Sequence, residues 1–448
     1  MDLLKKIKKK LRGPDGNADF SEILKGGSVA LIYRVMSMVL SYGLMVYISR
    51  ELGEDGIGIY NLCLAISGIL VMVASLGFNT SIIRFTSQYT ELGKPKLVLA
   101  VFKGIQKLTL PLSALIGLAF IIGSDYLADS IYHDPELSLP FKIIGAILPL
   151  SVMGTINVEF IRGLKEVHIS ELFRNLVIQF INLVGFATAI YLGIRTIYAV
   201  DVYALGIAVA AIYTTYYIWR FFHRTKAGRE SSPKEAFSMK EHLYISFPMI
   251  LTSFIQLLNG RVDTIMLGFY TDISAVGVFS VALKISVITN FMIASLKTIA
   301  MPKISELFWK QDMVNLKTVV KKSTNVIMLF SIPISLILLA FPELILSLVD
   351  DGFRAGSNTL RILAFTQLLN ATCGLVGAFM NMTGNQSYFT KLVLVATVVN
   401  IGLNALFIPM WGMEGAAWAT LISTGIWNIG GALFIYRKYG ISTFLSIK

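Results

Sequence analysis

Charge is scarce in this sequence. Of 448 residues only 15% are Asp, Glu, Lys or Arg, where a soluble domain carries about 25%. Histidine and cysteine are scarcer still, at four and two residues. His133, His168, His223 and His242 fall in or near the polar links between apolar runs, which argues against a histidine proton relay or metal site. Cys63 and Cys373 lie inside apolar runs and read as small buried hydrophobes with no disulfide role. There is no GxxxxGK[ST] loop, so ATP is not bound in the P-loop manner. No Asp/Glu/His set has metal-ligand spacing, and no Ser/His/Asp grouping can be assembled. Long loops are missing too: the longest link is about 20 residues, with no room for the catalytic loop domain of a membrane-embedded transferase.

What is present is apolar. The hydrophobic share is 55% and the mean hydropathy +0.69, the composition of a polytopic membrane protein. Runs of the length a spanning helix needs recur near 27–49, 57–79, 98–122, 139–161, 170–192, 197–221, 243–268, 276–300, 324–346, 358–380, 388–409 and 413–436. That is about twelve spans, an all-α fold. The basic start MDLLKKIKKKLR resembles a signal peptide, but the run after it is too long for an h-region and has no small-residue cleavage pattern. It is expected to stay as the first span. Residues 1–25 read as a short interfacial helix with Leu3, Ile7 and Leu11 on one stripe, or equally as a disordered basic tail.

The net charge of +12 does not point to nucleic acid, because the cations lie in links between spans. The N-terminal arm, 80–107, 162–174, 219–242, 303–322, 381–391 and the C-terminal tail hold roughly 30 of the 39 Lys and Arg, which places them and both termini in the cytoplasm. The alternate links, such as 124–136 and Asp350–Asp351, are short or acidic.

The chain also resembles itself. GIYNLCLAIS from Gly58 to Ser67 aligns with GVFSVALKIS from Gly277 to Ser286, 219 residues later; the same offset sets Arg84 on Lys303 and Phe160 on Phe379. Six spans per repeat is even, so the copies share one orientation and are related by an axis along the membrane normal, with a site expected between them near the midplane. The expected division is a first lobe over 1–222, a cytoplasmic linker over 223–241 and a second lobe over 242–448. Pro111 and Pro333 fall within a turn of equivalent positions and are expected to bend the third span of each copy; Pro149 and Pro248 are further kink candidates.

Five charges sit inside the spans. Arg261, Asp263 and Lys284 are expected in the outer half of the membrane, Arg34 and Lys297 in the inner half. A charge facing lipid at mid-helix costs about 2.5–3.5 kcal/mol, so these side chains are expected to face a polar cavity. Arg261 and Asp263, two apart, point to different faces; Asp263 is expected to pair with Lys284 or to reach Arg34. Pairing leaves unmatched cations, which suit an anion. The alternative is a set of interhelical ion pairs with no ligand. Lys297, about a turn from the inner end, could instead snorkel to the interface. Arg34 lies deeper, and its planar fork suits phosphate oxygens. Glu159 is a possible second coupling acid or an interfacial residue. Tyr33, Tyr42, Tyr47 and Tyr60 could stack on sugars, though packing or an interface belt is the commoner use; Tyr213, Tyr216, Tyr217 and Trp219 fit the aromatic belt.

The stretch SRELGEDGIGIY from Ser49 to Tyr60, with VDTIMLG from Val262 to Gly268 and VGVF from Val276 to Phe279, resembles polysaccharide-biosynthesis flippases, the lipid-linked oligosaccharide exporters (O-antigen type included) of the multidrug/oligosaccharidyl-lipid/polysaccharide (MOP) superfamily. The resemblance covers the whole chain in length, span count and repeat, and its local motifs are degenerate. It implies a MATE-like pair of six-helix lobes in the bacterial inner membrane, moving an undecaprenyl-pyrophosphate-linked glycan by alternating access through a cationic cavity. Arg34, Arg261, Lys284 and Lys297 would then meet the anionic substrate and Asp263 would couple transport to protons or sodium, with no other cofactor. Implied partners are the lipid-linked oligosaccharide, membrane lipids and a polysaccharide polymerase or other assembly proteins. Lipid II flippases of the superfamily have two further C-terminal spans, which tilts the reading toward surface polysaccharide. A cation-coupled multidrug exporter of the same superfamily is the runner-up.

Overall fold

The computed structural model describes residues 18–193, 199–224, 254–255 and 257–444. The described residues are helical, with no strand among them. The first half comprises α1 (Ala18–Ala74), α2 (Phe78–Glu91), α3 (Pro95–Tyr126), α4 (Ser138–Gly163), α5 (Val167–Tyr191) and α6 (Ala199–Arg224). The second comprises α7 (Val262–Tyr270), α8 (Ile273–Ser286), α9 (Phe291–Trp309), α10 (Met313–Ala340), the short α11 (Pro342–Ser347), α12 (Ser357–Cys373), α13 (Val376–Met382) and α14 (Gln386–Tyr439). The expected linker past residue 224, residues 243–253 and 256 of the seventh run and the basic arm over 1–17 lie outside the described residues.

Among the described residues eight helices are long and apolar enough to cross a bilayer, and a ninth forms when α12 and α13, bent by 40°, are taken together with the turn before them. Two of the nine are far too long for one crossing. The 57 residues of α1 would extend about 85 Å against a hydrocarbon thickness of about 30 Å. Gly53 (φ 68°, ψ −163°) breaks α1 and Gly412 (φ 55°, ψ −131°) breaks the 54-residue α14. Both dihedrals are ones that only glycine reaches without strain. Counting each limb separately raises nine to eleven, and α7 is the described end of a twelfth, in line with the count read from the sequence. α3 and α10 stay helical through Pro111 and Pro333, and the sharp breaks fall at glycine, including Gly374 (φ 69°, ψ −133°) between α12 and α13.

The internal repeat is written in the backbone. Lys165 (φ 67°) and Gly384 (φ 76°) are left-handed residues 219 apart, as are Gly193 (φ 72°) and Gly412 (φ 55°). Each pair ends the same span of its copy. Phe160 and Phe379, matched by the same offset, are both fully buried.

Three apolar clusters form the core. One joins the halves: Leu44, Ile48, Ile57 and Leu62 of α1 pack with Val276 and Phe279 of α8, Phe353, Leu360 and Ala416. These residues lie toward the ends of the helices joined by short or acidic links. The other two belong to one half each, around Phe78, Ile105, Ile156 and Phe160 and around Ile304, Ile327, Phe379 and Ile435, toward the basic ends. The halves thus share a core at the acidic face and have separate cores at the basic face. At the basic face Glu306 accepts from Lys303 and Lys310 at 2.9 and 2.8 Å; their hydrogen bonds and charge hold its carboxyl down to about 2.

Candidate transport site

The seam between the halves is closed at the acidic face by backbone-to-backbone packing. A Cβ on Gly58 would sit 2.2 Å from the Ile273 carbonyl oxygen, and one on Gly277 would sit 2.0 Å from that of Glu54. Glu54 and Ile273 are themselves 219 apart, so the contact is reciprocal between repeat-equivalent residues. Arg50 adds a strap, donating from Nε to the Val349 carbonyl at 3.0 Å and from Nη2 to that of Leu348 at 2.7 Å, where it satisfies carbonyls at the end of α11.

Lys284 belongs to this closure. Its Nζ donates to the Ser41 carbonyl at 2.8 Å and lies 5.5 Å from the Tyr42 ring, while the Tyr42 hydroxyl donates back to the Lys284 carbonyl. The side chain expected to be a substrate cation is therefore engaged as a staple between α8 and α1. It does not pair with Asp263.

Asp263 is 8% exposed and is held by neutral donors. Asn400 and Asn404 donate amide hydrogens to Oδ1 at 3.0 and 2.7 Å, and the Thr420 hydroxyl donates to Oδ2 at 2.5 Å. The expected pairing with Lys284 or Arg34 is overturned, since among the described residues no cation lies within ion-pair distance of it. The cause is directional. Asp263 faces both limbs of α14, while Arg261, two residues earlier, lies on another face in electrostatic reach of the Tyr60 and Tyr203 hydroxyls of the first half. Those rings meet edge-on at 6.3 Å. The Asn404 Oδ1 atom is buried with no partner, so the pocket offers one carboxylate, one free amide oxygen and a hydroxyl. Hard cations take such oxygens. No group of three or more His, Cys, Asp or Glu gathers among the described residues, this pocket included.

Arg34 stands in a different setting. Its side chain is 50% exposed, with Nε 3.8 Å from Oε2 of Glu171, which is 1% exposed. Asn175 donates to the same Glu171 oxygen at 2.7 Å, and Arg162 lies 4.0 Å from the other. Arg162 also meets Glu159 at 3.9 Å, and Arg174 contacts Glu159 closely. Glu171, Arg174 and Asn175 stand at i, i+3 and i+4 and so share one side of the helix, which runs into a π-helical turn at Leu172–Val177. Three arginines against two glutamates leave a net positive charge, and Arg34 presents it to open space. Glu159, weighed as a coupling acid, is an ion-pair partner here. Lys297 is exposed on α9, the position from which a lysine snorkels.

One polar group had no sequence signal. Where α8 gives way to the 3-10 turn Val287–Asn290, Asn290 donates to the Gln367 amide oxygen at 2.6 Å, and Asn370 donates to Asn290 at 3.2 Å. Amides gathered within a membrane domain are hydrogen-bonding groups of the kind sugar hydroxyls meet.

The family model described as "polysaccharide biosynthesis protein" matches residues 23–308, and one described as MatE matches 248–406. A probable low-salt glycan biosynthesis flippase of Haloferax volcanii, Agl15, is 22% identical over 405 residues, 90% of this chain and 80% of that protein. Among solved structures, the inward-facing conformation of a multidrug resistance MATE family transporter of the MOP superfamily superposes with a TM-score of 0.71 at 15% identity, over 92% of this chain and 98% of that one. An outward-facing conformation of a transporter so described gives 0.61 at 18% identity, over 94% and 95%. The lipid II flippase MurJ in an inward closed conformation gives 0.71 at 16% identity, over 90% and 86%.

Proposed function

This chain belongs to the polysaccharide biosynthesis protein family, and from that premise we propose that it flips a lipid-linked oligosaccharide across a cell membrane by alternating access. The finer reading is an undecaprenyl-pyrophosphate-linked repeat unit of a surface polysaccharide, carried across the inner membrane. In that reading the basic face and both termini are cytoplasmic, residues 1–222 and 242–448 are the two moving lobes, and a polymerase takes the glycan on the far side.

The observation that carries the reading is the division of the core. Two halves with one common core at the acidic face and separate cores at the basic face suit a V whose mouth, on the proposed orientation, would face the cytoplasm, where lipid-linked glycans are built. A pyrophosphate bears about two negative charges that hydrocarbon excludes. Arg34 and Arg261 would replace its hydration with charge-assisted hydrogen bonds, Lys297 would draw it in from the basic rim, and the Asn290, Gln367 and Asn370 amides would meet sugar hydroxyls. The prenyl tail can stay in lipid between the halves. Lys284 would take part only once its staple to Ser41 opens. A multidrug exporter of organic cations, the runner-up, would be opposed by the positive charge around Arg34.

Energy would enter through Asp263, as a proton or sodium site built with Asn404 Oδ1, Asn400 and Thr420. Asp263→Asn is expected to remove the dependence of export on an imposed proton or sodium gradient. If sodium is the ion, adding it should raise the Tm of the wild type and leave that of Asp263→Asn unmoved, since an ion at 100 times its Kd stabilises the bound state by about 2.7 kcal/mol. Unchanged gradient dependence in the variant would remove Asp263 from coupling. Complementation of polysaccharide-deficient cells, with lipid-linked intermediates assayed on each leaflet, tests the function itself. Intermediates that reach the outer leaflet equally without the protein would end the flippase reading.

A further inference from the structure

We propose that the basic end of α14 carries a site for one anionic phospholipid of the cytoplasmic leaflet, its phosphate between Arg437 and Lys438 and an acyl chain in the groove over Gly425. Two open cavities meet there. One, of about 430 Å³, is lined by Tyr388, Phe434, Arg437 and Lys438. The other, of about 460 Å³, is lined by apolar residues that include Phe365, Gly425 and Ile429. Gly430 lines both. A cationic, aromatic-walled end that passes into a purely apolar one has the chemistry of a lipid, head group then chain.

The polar end is organised in advance. Lys438 Nζ donates to Asn385 Oδ1 at 2.8 Å and lies 5.4 Å from the ring centres of both Phe434 and Tyr439. Tyr388 stacks on Phe434 at 4.2 Å, and Arg437 is exposed beside them. Neither the link over 381–392 nor the stretch over 415–448 contains Asp or Glu, so no carboxylate on these segments competes for the cations. At the apolar end, a Cβ added to Gly425 would come no nearer than 4.0 Å to any neighbour, which is the space a chain would occupy.

Dimensions select the occupant. From Arg437 to Gly425 is twelve residues, about 18 Å of helix, against about 15 Å for half of the hydrocarbon layer. The site is one leaflet deep, which suits a phospholipid anchored at the surface and leaves most of a long polyprenyl chain outside. The assignment to the cytoplasmic leaflet rests on the orientation proposed above; the head-and-chain geometry does not.

The test is native mass spectrometry of the purified full chain in detergent, with phosphatidylglycerol or phosphatidylcholine added. The wild type is expected to retain phosphatidylglycerol about tenfold better, two surface cations being worth that or more. Arg437→Gln with Lys438→Gln should bring the two lipids to parity. Gly425→Leu, which leaves both cations in place, should lose the bound lipid while gel filtration stays unchanged. Lys317→Gln with Lys322→Gln, two exposed lysines at the basic end of α10, should keep the preference. Equal retention of both lipids by the wild type, or undiminished retention by the charge pair and Gly425→Leu alike, overturns the site. One-for-one displacement by a polyprenyl-pyrophosphate glycan would also overturn it, by giving the groove to the transported substrate.

Discussion

Gly277→Leu is expected to abolish export and to leave the acidic face open. The new Cβ would lie 2.0 Å from the Glu54 carbonyl oxygen, far inside any tolerated contact, and the obstacle is helical backbone that no side-chain rotation moves. Overpacking of this kind costs about 1–3 kcal/mol, and here it falls only on the state in which α1 and α8 touch. At 1.4 kcal/mol per factor of ten, a cost near the upper end shifts the balance between states about a hundredfold. Gly58→Leu should do the same, because its Cβ meets the Ile273 carbonyl at 2.2 Å. A cysteine at Val281, placed in a chain whose Cys63 and Cys373 are serine, reads the effect. Val281 is fully buried in the shared core, so impermeant reagent at the acidic face should label it only in the glycine variants. Gly123→Leu, where nothing lies within 4 Å of the added atom, should behave as wild type. Normal export and an unlabelled cysteine in Gly277→Leu would mean that the seam never has to close.

Arg34→Ala and Arg261→Ala are the second pair of large effects. On the function proposed above, each would remove a charge-assisted contact to the substrate worth about 1.5–3 kcal/mol, hence about a 10- to 100-fold loss in the export rate at limiting substrate. The two should differ in rescue. Arg34→Lys keeps the charge but loses the fork and the Nε contact to Glu171, so it should recover only part of the loss. Arg261 lies in electrostatic reach of the Tyr60 and Tyr203 hydroxyls, and Tyr60→Phe should weaken export less than Arg261→Ala does. Export assayed at matched membrane levels of each variant decides the matter. Full activity of both alanine variants would remove the anion site.

What the sequence could tell depended on the range of the interaction. Each span is a local run of apolar residues, so the spans were legible one by one. The match of Gly58 to Gly277 was legible because repeated sequence packs as repeated structure. The partners of Asp263 were not: Asn400, Asn404 and Thr420 lie 137 to 157 residues away, and nothing near Asp263 specifies which side of α14 it meets. Lys284 misled for the complementary reason. A buried lysine can be satisfied by carbonyls as well as by an acid, and the Ser41 carbonyl carries no mark in sequence. Glu171 carried no mark in sequence, because the arginines it meets, Arg34 and Arg162, come from other helices. The sharp reversals of the long helices fall at left-handed glycines, a conformation that proline cannot supply.

The left-handed pairs have a consequence for ancestry. Backbone conformations that cost an ordinary residue about 1 kcal/mol or more recur at one register in both halves, as tandem duplication of a six-span gene would leave them. At one of these places the second copy holds Gly384 and the first holds Lys165. Lys165 pairs with Glu91 at 2.5 Å, a contact the glycine copy cannot make.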